Sequence, residues 1–328
     1  MPAEPRSICI VKLGAIGDVV NSLPFVCRLR AGFPAARITW AIAPLAHQLV
    51  SGHDAVDEFL VIDVKCRSTL LGKARELRRA RFDLVIDLQR ILKSGLITRV
   101  TGAPRRLGFD RARCKELSWL LTNDRIPPRS DPGVTVEQYL EFADHLGLPQ
   151  CEPEWRLPRD DWAGDAPRVC LNIGASKPAN QWPVAHWAEL AQGLAQDIPA
   201  SRIALTGGPQ DRALADEILR DGPHGMLDTV GMLSLRESAG LIAASSVFVG
   251  GDTGPMHMAV AVGTPLVALF GAADPERTGP FRSPQSVIYE PAECSPCRQR
   301  SCTVAGHPCM TGIGPQRVLE AVRSRARA

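Results

Sequence analysis

Short β-branched apolar runs alternate with longer helix-patterned stretches along this chain, and the alternation lapses once near the middle before it restarts. No other feature constrains the fold as strongly, because strands separated by helical crossovers pair in parallel, in right-handed βαβ units. In the first half, strands are expected near Ser7–Lys12, Arg37–Ala41, Phe59–Asp63 and Leu84–Asp87. Helices are expected over Asp18–Ala31, Ser68–Ala80, Lys93–Val100 and Val136–Leu146. Between Leu148 and Pro167 the pattern gives way to Pro149, Pro153, Pro158 and Pro167 among scattered charges, which is the composition of a linker. Strands are expected again at Val169–Ile173, Arg202–Thr206, Val247–Gly250 and Leu266–Phe270. Ser234-Leu-Arg-Glu237 has capping-box spacing and opens a helix through Ala244. The chain therefore reads as α/β, with one Rossmann-like lobe over 1–155 and a second over 165–328. Their parallel sheets are expected to face each other across a ligand-holding cleft, with the last helix, 315–328, packing back on the first lobe.

Composition removes several function classes. The 38 Lys and Arg against 35 Asp and Glu leave a net charge of +3, too balanced for a general nucleic-acid binder. No charged-then-apolar leader with a cleavage site opens the sequence, so a cytoplasmic location is expected, and reduced thiols for the ten cysteines. The uncharged run from Thr253 to Ala273 has the length of a membrane span. Gly254, Pro255, Gly263 and Pro265 interrupt it, and Gly263-Thr-Pro265 divides a helix-like half from a strand-like half. It reads as buried α/β core.

Two strand ends carry the most informative residues. Lys12-Leu-Gly-Ala-Ile-Gly-Asp18 directly follows the apolar run Ile8-Cys-Ile-Val11. Gly14 and Gly17 permit a tight turn into a helix, which puts Asp18 at the carboxyl edge of a sheet, where open α/β folds hold ligands. A carboxylate there is a candidate general base, and the competing reading is a helix cap. In the second half, Asp252-Thr-Gly-Pro-Met-His257 follows Ser246-Val-Phe-Val-Gly-Gly251. Pro255 suits a first helical turn, and a helix start carries roughly half a positive charge that favours a phosphate. Thr253, Gly254 and His257 would then surround an anion, whereas the competing reading is a capped core helix with a satisfied histidine. Asn172-Ile-Gly-Ala-Ser-Lys177 adds Gly174, the Ser176 hydroxyl and the Lys177 ammonium. Thr206-Gly-Gly-Pro-Gln-Asp211 adds close backbone approach at Gly207 and a carboxylate for a ribose hydroxyl at Asp211. Neither a Walker P-loop nor a strand-linked G-x-G-x-x-G occurs.

These residues resemble the ADP-heptose:lipopolysaccharide heptosyltransferases, glycosyltransferase family 9. The resemblance runs through Lys12–Pro24, Asn172–Trp187, Asp252–Pro280 and the terminal Cys-rich segment, in the right order. Its most specific parts are Gly17-Asp18-Val-Val-Asn-Ser-Leu-Pro24, Gln181-Trp-Pro183, and Asp252-Thr-Gly-Pro-Met-His257 followed by Leu269-Phe-Gly-Ala-Ala-Asp-Pro275. It implies a GT-B fold, with the acceptor on the first lobe and an ADP-sugar on the second, and an inverting transfer that requires no metal or other cofactor. Asp18 would be the base and Lys177 the cation facing the leaving diphosphate. Asp211 would hold the ribose, with Asp252 and Thr253 near the phosphates. Two positions depart from the family pattern: Asn180 stands where many members carry Lys, and Asn21 where many carry His.

The acceptor would be a lipopolysaccharide core, rich in carboxylates and phosphates that Arg and Lys recognise. Lys12, Arg90, Lys93 and Arg113 are the candidates for it, from a basic cluster that includes Arg105, Arg106 and Arg111. Arg75, Arg78, Arg79 and Arg81 form a second basic group, suited to a peripheral contact with the inner membrane. Cys294, Cys297, Cys302 and Cys309, with His307 beside them, have the spacing of a tetrahedral metal site; a reduced structural loop is the equal alternative. Two rival functions remain at this level. One is a sugar-nucleotide epimerase, which needs no acceptor, and the other is a non-catalytic sugar-nucleotide- or metal-binding scaffold.

Overall fold

The computed structural model describes residues 4–131 and 133–326, with the backbone alone at 67–70. The outermost residues of both expected lobes, 1–3 and 327–328, and the side chains at the start of the expected helix 68–80 lie outside the described residues. Two compact units divide the chain, Met1–Pro158 and Arg159–Ala328.

The first unit holds β1 (Ser7–Val11), β2 (Arg37–Ile42), β3 (Glu58–Val61), β4 (Leu84–Asp87), β5 (Arg105–Gly108) and β6 (Asp124–Arg125). They form one parallel sheet in the order β3-β2-β1-β4-β5-β6. The second unit holds β7 (Val169–Asn172), β8 (Ile203–Thr206), β9 (Leu227–Asp228), β10 (Val247–Gly251), β11 (Leu266–Phe270) and β12 (Val287–Tyr289). Its sheet, also parallel, runs β12-β11-β10-β7-β8-β9. Each unit therefore begins in mid-sheet, winds outward through three strands, and returns to wind outward on the other side. This is the doubly wound Rossmann order, and it makes the first and fourth strands of each unit neighbours. Loops leaving those two strands part toward opposite faces, which opens a crevice at the carboxyl edge of each sheet.

Central strands form where both faces can be buried. Ile8, Cys9, Ile10 and Val11 are all 0% exposed, as expected for a parallel strand covered by helices on each side. In the first unit the helix Ile16–Gly32 packs against Thr135–His145. Phe142 meets Phe25 and Phe109 edge-to-face, at centroid distances of 6.1 and 4.8 Å. Trp182 and Trp187, centroids 4.8 Å apart at 89°, anchor the second core. The helix Pro315–Ala326 buries Val318, Leu319 and Val322 in that same core and packs against the helix Val184–Leu194.

The uncharged run after Thr253 is part helix and part strand, as its sequence implied. The helix Gly254–Val262 ends at Gly263, whose φ of 76° is readily available only to glycine, and β11 begins at Leu266. Among the described residues no helix is long and apolar enough to cross a membrane. The proline-rich linker is tied down at its start: Arg28 donates to the carbonyls of Leu148 and Pro149 at 2.8 Å, and His53 Nε2 lies 2.9 Å from Trp155 O.

Phe142 is 0% exposed and touches two other rings, so Phe142→Ala leaves a cavity that its neighbours cannot fill. The variant is expected to lose about 3–5 kcal/mol of stability, read as a lowered denaturant midpoint at unchanged slope.

Candidate active site

Val11 is in register with Ala41 on one side and Asp87 on the other, so β1 delivers its loop between two strand ends. The chain then enters the helix Ile16–Gly32, whose N-cap position is Ala15, not Asp18. Asp18 sits in the first turn, where the helix dipole favours a carboxylate. Its side chain is 44% exposed, and its Oδ2 accepts a hydrogen bond from Lys12 Nζ at 3.0 Å. The Lys12 side chain is only 2% exposed, and its ammonium lies 5.3 Å from the centre of the Tyr139 ring. Burial alone would depress the Lys12 pKa, but the field of Asp18, joined by Tyr139, outweighs it and holds the ammonium above its ordinary value. Lys12 is thus placed against the candidate base.

A second carboxylate went unrecognised in the sequence. Asp87 ends β4 and is 3% exposed, and burial pushes its pKa up to about 6 against the hydrogen bonds and the Lys12 charge that favour ionisation. Asp87 Oδ1 accepts from the backbone N–H of Gln89 at 2.9 Å. The Gln89 carboxamide in turn clasps the loop after β1: Oε1 accepts from Leu13 N at 2.9 Å, and Nε2 donates to Gly14 O at 2.9 Å. The two strand-end loops of the crevice are therefore locked together by a residue 75 positions away from the glycine it holds.

The remaining basic candidates separate by environment. Arg113 is ion-paired with Asp110 and donates to both oxygens of Glu141, at 2.9 and 3.0 Å, so its guanidinium braces the unit internally. Arg90 donates to Gln138 Oε1 at 2.7 Å, lies 4.1 Å from the centre of Phe109, and holds a φ of 87°, a strained value for so large a side chain. Lys93 is exposed on the helix Leu92–Val100. Beyond the ends of β5 and β6, residues 110–112 and 125–128 line an open cleft of about 640 Å³; two of them, Arg111 and Arg125, hold their guanidinium groups over the Trp119 ring, 4.9 and 5.8 Å from its centre. Arg125 carried no signal in the sequence, because only strand pairing brings it beside Arg111.

In the second unit, three strand-end loops meet as the sequence implied. Ser176 Oγ donates to Asp252 O at 3.1 Å, and Thr253 Oγ1 lies 3.4 Å from Asn172 Oδ1; both contacts join the loops after β7 and β10. Asp211 is 5% exposed, and its Oδ2 accepts from Gly208 N at 2.8 Å. The Asp211 carboxylate overlies Gly174 and Gly207; a Cβ on Gly174 would come within 2.7 Å of Oδ2. Thr253 directly precedes the helix Gly254–Val262, with Pro255 in the first turn, and His257 Nε2 lies 3.9 Å from Asp252 Oδ1. Lys177 Nζ donates to Arg298 O at 3.1 Å. Asn180 is 5% exposed, and its Oδ1 has no hydrogen-bond partner among the described residues.

The metal reading of the cysteines is not confirmed by the structure. All four thiols are free, and among the described residues no group of three or more His, Cys, Asp or Glu side chains gathers to hold a metal ion. Cys309 is buried in the short helix Pro308–Thr311 while Cys294 is exposed, and His307 Nε2 is turned to Ala179 O at 2.9 Å.

Asp87 provides a pH test of the crevice. Its folded pKa is raised, so its stabilising contribution is complete below the unfolded value and fades as the pH climbs through about 6. Wild-type protein is expected to lose stability relative to Asp87→Asn between about pH 4 and 6, with a flat difference outside that window, in urea titrations across the range. Parallel curves within the window would mean that Asp87 ionises as it does in the unfolded chain.

Comparison with known proteins bears on the family and the fold. The family model described as glycosyltransferase family 9 (heptosyltransferase) matches residues 71–307. Lipopolysaccharide heptosyltransferase 2 of Salmonella typhimurium is 28% identical over 345 aligned positions, covering 97% of each chain. Lipopolysaccharide core heptosyltransferase OpsX of Haemophilus influenzae is 26% identical, covering 87% of this chain and 84% of that one. Among solved structures, E. coli ADP-heptose lps heptosyltransferase II superposes with a TM-score of 0.80 at 26% identity, covering 98% of both chains. A family 9 glycosyl transferase from Veillonella parvula superposes at 0.82 with 19% identity, covering 98% of this chain and 97% of that one. The two doubly wound sheets are those of the GT-B fold, and the chain belongs to glycosyltransferase family 9, the heptosyltransferases.

Proposed function

We propose that this enzyme transfers a heptose from ADP-heptose to a lipopolysaccharide inner-core acceptor, with inversion at the anomeric carbon and Asp18 as general base. The observation that carries the reading is the half-exposed Asp18 carboxylate, fixed by a buried ammonium at the carboxyl edge of the first sheet. The relatives supply the substrate class: those compared above are named for lipopolysaccharide heptosyl transfer, and an E. coli heptosyltransferase of the same fold was crystallised with ADP-2-deoxy-2-fluoro heptose.

In the reaction, an acceptor hydroxyl oxygen bonds to the anomeric carbon as the bond from that carbon to the diphosphate oxygen breaks. The bonding pair leaves with ADP, and the hydroxyl proton passes to Asp18. Free aspartate has a pKa near 3.9, so Asp18 cannot ionise a resting alcohol and takes the proton only as the new C–O bond forms. Lys12 keeps the carboxylate oriented throughout, while Arg90, Lys93 and Arg113 lie on the acceptor unit.

The second unit receives the donor. Charge that builds on the leaving diphosphate falls at the start of the helix Gly254–Val262, where the first-turn backbone N–H groups and the dipole favour an anion. Thr253, Ser176 and His257 flank that point, and Lys177, with one of its three N–H donors on Arg298 O, supplies the cation. Asp211 shapes the loop at Gly174 and Gly207 for the ribose, and the buried Asn180 Oδ1 offers an acceptor to a donor N–H or O–H. These groups meet the charge without a metal ion, so a chelator is expected to leave the rate unchanged. The enzyme would work at the cytoplasmic face of the inner membrane, where such acceptors are built.

The decisive variant is Asp18→Asn. It is expected to bind ADP-heptose as the wild type does, by calorimetry, and to lose turnover by about 10²–10⁴-fold. Normal turnover in that variant would remove Asp18 from the chemistry, and release of an epimerised sugar without acceptor would replace transfer with epimerisation.

A further inference from the structure

We propose that one helical layer of the first unit is the surface by which the protein docks on an anionic lipid bilayer. The layer consists of the helices Arg67–Arg79 and Leu92–Val100, which pack side by side, and the short helix Leu117–Leu120, which packs on the second of them. Together they expose Leu71 at 73%, Leu92 at 40%, Leu96 at 51%, Leu117 at 59% and Leu120 at 57%. Among the described residues only Leu45, Met232 and Val304 are comparably exposed large apolar side chains elsewhere. Single exposed leucines are ordinary on any protein; five on one layer are not.

Local structure holds this face in place. Gly95 lets the short helix approach closely, since a Cβ there would lie 2.9 Å from Leu121 Cδ1 and 3.3 Å from Ser118 Cα. Glu116 Oε2 accepts from Leu92 N at 2.6 Å, which joins the start of one helix to the start of the other. Leu92 and Leu96 lie one turn apart, as do Leu117 and Leu120, so each pair projects from a single side of its helix.

Charge selects the occupant. Arg75, Arg78, Arg79, Arg81, Lys93, Arg99 and Lys115 are exposed on or beside these elements. The acids nearby are committed, Glu76 to Lys73 at 2.9 Å and Glu116 to the backbone of Leu92. A second copy of the chain docked symmetrically on this face would set the excess positive charge against itself. Anionic headgroups instead complement the basic side chains while leucines enter the boundary with the acyl chains. The proposal rests on and deepens the reading of a lipopolysaccharide acceptor, because the enzyme must sit at the bilayer to reach a lipid-borne substrate.

Co-sedimentation of the full chain with vesicles tests it. Wild-type protein is expected to bind vesicles of phosphatidylglycerol mixed with phosphatidylcholine at low salt, and pure phosphatidylcholine far more weakly. Replacing Leu92, Leu96, Leu117 and Leu120 together by Ser is expected to weaken binding about tenfold or more. Replacing Arg75, Arg78, Arg79 and Arg81 together by Ser is expected to weaken it about a hundredfold at low salt, with little further loss at high salt. Both variants should match wild type in thermal melts and in turnover on a water-soluble acceptor fragment, which separates docking from catalysis. Failure of wild type to bind anionic vesicles, or wild-type binding by both variants, would overturn the proposal. So would a concentration-dependent dimer in the wild type that the leucine variant abolishes, which would assign the face to a second copy.

Discussion

A buried ammonium tolerates its surroundings only when a carboxylate answers it, and the loop after β1 is built around that requirement. Lys12 is almost wholly enclosed, so its charge is stable only while Asp18 stands beside it. The same bond runs the other way. Asp18 is half exposed, and Lys12 fixes one of its oxygens, Oδ2, at 3.0 Å. Asp87 lies within the electrostatic reach of Lys12, and Gln89 ties the loop beyond β4 to the loop beyond β1. The proposed base would gain precision from a rigid support of this kind, since a shift of an ångström at a reacting group is felt in the rate.

The two units share strand order but not chemistry, which shows how little the sheet itself decides. In the first, titratable side chains, Lys12, Asp18 and Asp87, stand at the ends of the first and fourth strands. In the second, the corresponding crevice presents hydroxyls, glycines and the start of a helix, groups of the kind that suit an anion. Asp211 illustrates the difference. Its carboxylate is turned inward on Gly208 N, where it sets the loop's shape, and it does not stand out toward solvent as Asp18 does.

The central strands were legible because burial on both faces writes a continuous apolar run, as in Ile8–Val11 or Val247–Val249. The outer strands were not. β5 begins with Arg105-Arg106, and β6 and β9 are two residues each; they are strands only because a neighbour pairs with them. The site was legible to the same degree. Asp18 and the loops at Asn172, Thr206 and Asp252 could be read from strand-then-glycine patterns, since those patterns are local. Partnerships across long stretches of chain could not be read. Lys12 looked like an acceptor contact because sequence gives a residue's type and not the direction of its side chain. Tyr139, more than a hundred residues on, is what closes the pocket around its ammonium. The cysteine spacing was open in the same way, and among the described residues no three of its side chains gather.

Basic residues make the same point about charge. A net charge of +3 suggests a protein with no strong preference among partners, and as a sum it is uninformative. What matters is which cations are already answered. Arg30 is taken by Asp57, Arg105 by Asp124, and Arg113 by Asp110 and Glu141, so these arginines brace the fold and project little field. The helices Arg67–Arg79 and Leu92–Val100 carry one acid between them, and it is paired. Near-neutrality overall is thus compatible with an uneven surface, because the fold spends many carboxylates on internal arginines while these two helices carry more basic than acidic residues.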